Sequence, residues 1–154
     1  MLHFIHITDT HIGPDSSYML YEQNTHANAQ ALVHLINHEL PFRPALVLHT
    51  GDVMFNPGAP AAQLAAQVFG QLNVPIRYVC GNHDDRAQLR EFVLGQNPSD
   101  APIYYDFVLD DFHFLVLDTR GAVDPQGYID AEQLVWLRET CAASKARSLV
   151  ICVH

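Results

Sequence analysis

Apolar residues fall into short continuous runs and helix-spaced stripes that alternate along the chain. Leu2 to Ile7 is a run of strand character that stops at Thr8-Asp9-Thr10-His11-Ile12, ahead of the Gly13-Pro14 loop signal. Residues 13–26 read as polar and irregular. Ala29, Leu32, Val33, Ile36 and Leu40 then recur at helical spacing until Pro41 stops the helix. Ala45 to His49 is a second strand that ends in Thr50-Gly51-Asp52. Beyond the breaker Asn56-Pro57-Gly58, Pro60 suits a first helical turn, and Leu64, Ala65, Val68, Phe69 and Leu72 form one face. Ile76 to Cys80 is a third strand, closed by Gly81-Asn82-His83-Asp84, and a short helix with Leu89, Phe92 and Val93 on one side follows. Tyr104–Leu109 and His113–Leu117, joined by Asp110-Asp111, predict an antiparallel hairpin. Asp130 with Gln133 predicts a capping box for a helix that turns Leu134, Leu137 and Cys141 inward, and Ser148 to Val153 is the last strand before His154.

The predicted order is β-α-β-α-β-α-β-β-α-β, an α/β chain with a largely parallel sheet and no internal repeat or linker. At 154 residues it is one domain's worth, long enough to bury roughly 70% of its unfolded surface. With 49% apolar and 16% charged residues, low complexity and disorder are excluded. Eight Lys and Arg against 17 Asp and Glu leave a net charge of −9, so partners rich in phosphate, nucleic acid or an anionic membrane, would meet an opposing mean field. Three cysteines, Cys80, Cys141 and Cys152, are too few and too far apart for a disulfide framework or a thiolate zinc site. Their expected burial suits a reducing cytoplasm. Met1 starts no basic leader, and no apolar run approaches 18 residues, so the protein is expected to be neither secreted nor membrane-spanning.

In parallel α/β sheets, ligands bind beyond the carboxyl ends of the strands. Here those ends carry Asp9 and His11, then Asp52, then Asn82, His83 and Asp84, then His154. Two residues apart in extended chain, Asp9 and His11 would point to one side and grip one cation. Gly51 lets backbone approach closely, and a carboxylate at Asp52 has two oxygens with which to bridge two cations. Asn82 offers a neutral oxygen ligand. His83, with Asp84 to orient it, has the composition of a general acid or transition-state clamp. Asp-x-His and Gly-Asp are common turn pairs by themselves, whereas a Gly-Asn-His-Asp string arises by chance in well under about one chain in a hundred of this length.

Ten histidines are many for this length. His3, His6, His49 and His113 lie within predicted strands and are expected to be packed or hydrogen-bonded there. His34 and His38, four apart, belong on a solvated helix face, and His26 carries no signal.

Taken in order, Asp9-x-His11, Gly51-Asp52, Gly81-Asn82-His83-Asp84 and a strand ending in His154 resemble the calcineurin-like metallophosphoesterase superfamily. Leu115-Val-Leu-Asp118-Thr119, Gly127 and Glu132-Gln133-Leu134-Val135-Trp136-Leu137 resemble its bacterial cyclic-nucleotide and glycerophosphodiester phosphodiesterase branch. The resemblance implies an α/β/β/α sandwich and two adjacent divalent cations (Mn, Fe, Zn or Co). Asp9 and His11 would hold the first, Asp52 would bridge, Asn82 and His154 would hold the second, and His83, with Asp84 behind it, would face the phosphate. The family's closing Gly-His-x-His motif is missing, so the chain is expected to be the N-terminal portion (1–154) of a single domain, C-terminally truncated, with exposed apolar surface and a tendency to form homo-oligomers. Two dications against Asp9 and Asp52 leave the site cationic and suited to a small phosphodiester. A superfamily nuclease and a catalytically incomplete metal-binding fragment are the alternatives.

Overall fold

The computed structural model describes residues 2–55, 58–123 and 126–154; the Asn56-Pro57 part of the predicted breaker lies outside them. Strands β1 (Ile5–Ile7), β4 (Val47–His49) and β5 (Ile76–Tyr78) form a parallel sheet in the order β1-β4-β5. Strands β6 (Tyr105–Leu109), β7 (Phe112–Val116) and β8 (Ser148–Cys152) form a second sheet in which β6 pairs antiparallel and β8 parallel to β7. The largely parallel sheet read from element order is thus accompanied by a second sheet, the two-sheet arrangement that the family resemblance implied. The reason is the β6–β7 hairpin, whose Asp110-Asp111 turn sets Leu109 opposite Phe112 and starts a new ladder.

Alternation along the strands separates the layers. Val47 and Tyr78 face helices α1 (Thr25–His38) and α2 (Ala59–Phe69), packing against Val33, Ile36, Ala65, Val68 and Phe69. Leu48 and Val79 point the other way, into a second core with Phe114, Val116 and Cys152 from the second sheet. There Phe107 stacks on Phe114 with ring centroids 4.8 Å apart. On the far side of β7, His113 bonds Ser144 at 2.8 Å, and Ser144 caps helix α4 (Ala131–Ala143). The result is the expected α/β/β/α order.

Several local expectations change. Strand one is shorter than its apolar run, so His3 precedes it, exposed against the Phe42 ring. Residues 13–26 contain a hairpin, β2 (Met19–Leu20) with β3 (Gln23–Asn24), closed by Tyr21 and Glu22 at φ 45° and 65°. A Tyr-Glu pair in a turn that favours Asn-Gly leaves no signal in the sequence. The short helix is one turn, α3 (Arg86–Gln88), capped by Asp85 and continued as a π-turn over Leu89–Val93. Asp130 does cap α4, accepting from Gln133 N at 2.7 Å, but Leu134 points outward and Gln133 is the buried residue. Instead of closing the capping box, its side chain pairs with both main-chain groups of Asp118, at 2.7 and 3.0 Å. The solvated face at His34 and His38 is observed. Leu149, Ile151, Val153 and Val108 are exposed, the apolar surface expected on the hairpin and last strand.

His49 is fully buried between Phe69 and Tyr78, with Nε2 2.8 Å from the Thr10 hydroxyl. Burial drives its pKa from 6.5 down to about 3. The folded chain keeps this imidazole neutral while the unfolded chain takes a proton near pH 6.5, so its contribution is complete above that pH and is lost as pH falls. In His49→Gln, denaturant melts between pH 6.5 and 4.5 should show a pH slope smaller by about one proton, roughly 1.4 kcal/mol per pH unit.

Candidate metal centre

All the polar strand ends meet at one edge of the sandwich, though the backbone takes an unexpected route there. Extended geometry does not align Asp9 with His11: β1 ends at Ile7, and both residues adopt left-handed backbone, with φ of 56° and 46°. Asp52 does the same at 53°, after Gly51 at 100°. Three non-glycine residues in this region, all in one site, mark strain held by surrounding structure. The hydrogen bonds that hold it run between the loops. Asp9 N donates to Gly51 O and His11 N to Asp52 O, both at 3.0 Å, and Ile12 N to Val53 O at 2.9 Å.

The carboxylate of Asp52 is buried at the centre. Its Oδ1 accepts from His83 N at 2.9 Å, leaving Oδ2 between two imidazoles, 3.7 Å from His11 Nε2 and 3.4 Å from His154 Nε2. On the first side Asp9 Oδ1 lies 3.6 Å from His11 Nε2, and ligating atoms of Asp9, His11 and Asp52 all lie within 4.8 Å of one another. On the other side Asn82 Oδ1 is 3.0 Å from His154 Nε2. Two ligands at about 2.1 Å from one ion stand roughly 3.0–3.4 Å apart, close to these spacings.

Hydrogen-bond direction shows why such a group fits. His154 Nδ1 lies 2.8 Å from Thr50 O. A carbonyl only accepts, so the ring proton sits on Nδ1, and Nε2 presents a lone pair to the oxygens of Asn82 and Asp52. In the neutral ring three acceptors converge with no donor among them, an arrangement that a cation would satisfy. At His11, Nε2 faces two carboxylates beyond hydrogen-bond range, and Nδ1 is buried without a partner among the described residues.

Two glycines make the convergence possible. A Cβ on Gly51 would come within 2.6 Å of the His154 ring, and one on Gly81 would overlap the backbone nitrogen and carboxylate of Asp52.

His83 and Asp84 are not a pair. His83 Nδ1 lies 2.8 Å from Phe55 O, and its ring stacks on Phe55 with centroids 5.2 Å apart. Asp84, fully buried, accepts from Met54 N and Gly81 N, both at 2.9 Å. The expected orienter of His83 is instead a strut joining the loops after β4 and β5. Burial pushes its carboxyl up to about 6, against the backbone donors that pull it down. The orientation of His83 comes from a main-chain carbonyl, which side-chain identity does not announce.

A second strut also had no assigned role in the sequence. Asp118, at the end of β7 and 1% exposed, takes two bonds from Arg86 at 2.8 Å and bonds from Ile103 N at 2.7 Å and Arg120 N at 3.0 Å. Arg86 also donates to Arg120 O at 2.7 Å, and Thr119 Oγ1 to His154 O at 2.6 Å. Their position on the same strand-end edge was the signal available. Two cavities flank the centre. One of about 280 Å³ is lined by Asn82, Thr119, Arg120, Gln126 and His154, and one of about 340 Å³ by Asp9, His11, Leu20, Tyr21 and Leu32.

Two acceptor clusters sharing one carboxylate, on the strand ends of an α/β/β/α sandwich, form a candidate metal site in an α/β protein. Comparison with known families narrows this. The chain belongs to the calcineurin-like phosphoesterase family, whose model matches residues 2–154. It is 32% identical to a cAMP/cGMP dual specificity phosphodiesterase of Mycobacterium tuberculosis, over 97% of this chain and 48% of that protein. It is 28% identical to a glycerophosphodiester phosphodiesterase of Enterobacter lignolyticus, over 97% of this chain and 55% of that protein. The chain thus spans about half the length of these curated relatives. Among solved structures, the purple acid phosphatase PPD1 of yellow lupin seeds shares the fold, with a TM-score of 0.57 at 14% identity over 99% of this chain and 30% of that one.

Gly81→Ala should displace the Asp52 carboxylate and weaken Mn²⁺ binding roughly ten- to hundredfold. Calorimetric titration of the folded variant against the parent checks this.

Proposed function

We propose that this chain carries a binuclear metal centre for hydrolysis of small phosphodiesters, cyclic nucleotides or glycerophosphodiesters. Asp9, His11 and Asp52 hold one cation, and Asp52, Asn82 and His154 hold the other. The observation that carries the assignment is the single oxygen, Asp52 Oδ2, between two imidazole nitrogens at 3.7 and 3.4 Å. The relatives named above, phosphodiesterases for cyclic nucleotides and glycerophosphodiesters, support the substrate class. Oxygen and imidazole donors without thiolate suit Mn, Fe, Zn or Co.

The chemistry supplied by a pair of dications is charge stabilisation at the phosphoryl oxygens and acidification of the attacking water. The chain's own residues do the rest. A water oxygen forms the new bond to phosphorus as the bond to one ester oxygen breaks, and the departing oxygen needs a proton or a hydrogen bond. His83 is positioned to give it. Its Nδ1–H is committed to the Phe55 carbonyl and its main-chain N–H to Asp52, so Nε2 is the atom left to carry and release a proton. Asp84 acts only by holding the Gly81 and Met54 backbone that positions His83 and Asp52.

Cavities of about 280 and 340 Å³ suit the arms of a small diester, and the net charge of −9 disfavours nucleic acid. Among the described residues no helix is long and apolar enough to cross a membrane. Free Cys80, Cys141 and Cys152 fit a reducing cytoplasm, and exposed Leu149, Ile151 and Val153 favour self-association.

Metal-free protein resupplied with Mn²⁺ should hydrolyse bis(p-nitrophenyl) phosphate, and Asp52→Asn should abolish both turnover and tight metal binding. Binding without turnover in the parent would reduce the function to metal binding. Titration should show two unequal sites, the weaker one being that of Asn82 and His154, which has only a shared carboxylate. His83→Ala should lower kcat by about 10²–10⁴ while Mn²⁺ content is retained; equal loss of both would make it a structural residue.

A further inference from the structure

Tyr21 stands at the tip of the β2–β3 hairpin, where the fold gains nothing from a tyrosine. With Glu22 it closes the turn at φ of 45° and 65°, backbone that Asn and Gly adopt readily and that a bulky residue enters only at a cost. Burial does not repay that cost, because the side chain is 90% exposed; Tyr128, the next most exposed large apolar residue among those described, is at 64%. Asparagine at this position would relieve the backbone and take apolar surface out of water.

The root of the hairpin, by contrast, is fixed. Asn24 donates from Nδ2 to Ser16 O at 2.9 Å and caps helix α1 by accepting from Ala27 N at 2.8 Å. Tyr18 lies so close over Gly13 that a Cβ there would overlap its ring, and it packs on Phe55 with centroids 5.9 Å apart. Phe55 in turn holds the His83 ring, by stacking and through its carbonyl. The hairpin is thus braced against the loops of the metal centre at its base and presents a free aromatic ring at its tip. Tyr21 and the centre also share a cavity of about 340 Å³, within the roughly 300–1,000 Å³ of small-molecule pockets. Asp9 and His11 line it together with Tyr21, Leu20 and Leu32. Gln23 and Asn28 add amides, which both donate and accept.

We propose that Tyr21 is a specificity-determining residue whose ring stacks on a nucleobase while the phosphodiester lies at the metal centre, so that cyclic nucleotides rather than glycerophosphodiesters are the preferred substrates. A tyrosine on a fixed turn has few torsions to freeze on binding, and stacking of a base on an aromatic side chain requires only a flat face. A glycerol arm has no such face, whereas a base also carries donors and acceptors for the amides of Gln23 and Asn28. The inference rests on the binuclear centre proposed above.

Two ligands that differ only in the base test it: adenosine 5′-phosphate and ribose 5-phosphate, titrated by calorimetry into Mn²⁺-loaded protein. The parent should bind adenosine 5′-phosphate roughly ten- to hundredfold more tightly. Tyr21→Phe should keep that ratio within about twofold. Tyr21→Asn, which suits the turn, should melt no lower than the parent and bind ribose 5-phosphate as the parent does, while the preference for the base falls to about threefold or less. Equal affinities in the parent, or a preference that survives in Tyr21→Asn, would overturn the role of Tyr21 and leave the metal centre standing. A clear fall in melting temperature in Tyr21→Asn, with both ligands weakened alike, would make the ring a structural part of the hairpin and overturn the inference as well. Failure of both ligands to bind the Mn²⁺-loaded parent would overturn the centre and the inference together.

Discussion

One carboxylate organises this molecule's chemistry. Asp52 has two oxygens with different duties: Oδ1 fixes the backbone of the Asn82-His83 loop, and Oδ2 stands between His11 and His154. Neither duty tolerates displacement, because the acceptors around Oδ2 repel one another unless a positive charge lies among them. The rest of the edge is arranged to keep that carboxylate in place. Gly81 leaves room beside it, the left-handed backbone at residues 51 and 52 aims it, and Asp84 ties together the loops on either side.

The two buried acids at the strand-end edge, Asp84 and Asp118, solve a related problem. Loops at strand ends carry main-chain N–H groups that the sheet no longer satisfies, and burying them unpaired costs about 1–3 kcal/mol each. Asp84 satisfies two such groups after β4 and β5, and Asp118 satisfies two more at Ile103 and Arg120 while neutralising Arg86. Each replaces the missing ladder with one side chain. Gln133 continues the logic by pairing with the main chain of Asp118, which links α4 to the loop that walls the 280 Å³ cavity.

Much of this was legible in the sequence because strand ends are easy to find. A short apolar run that stops at Asp, His or Asn gives position and chemistry together, so Asp9, His11, Asp52, Asn82, His83 and His154 all could be named and do meet at one edge. What was not legible depends on the main chain. The partner of His83 is a carbonyl of Phe55, and nothing in residue identity distinguishes that from the neighbouring Asp84. The β2–β3 hairpin uses Tyr and Glu where a turn signal would be Asn and Gly. Leu134 and Gln133 exchanged their expected places because a buried, fully bonded amide at Gln133 outweighs the usual preference for leucine inside. The division into two sheets needed pairing information that alternation alone does not contain.

The centre also straddles the seam between the two sheets. Asp9, His11, Asp52 and Asn82 all follow strands of the first sheet, whereas His154 follows β8 of the second. The spacing of the sheets, set by Leu48 and Val79 against Phe114 and Val116, is therefore also the spacing of Asn82 from His154. A tightly packed interior transmits small changes in volume rather than absorbing them. Those four apolar side chains act as a gauge block for the Asn82–His154 pair, and breathing of the sandwich would loosen that pair while leaving Asp9, His11 and Asp52 in place.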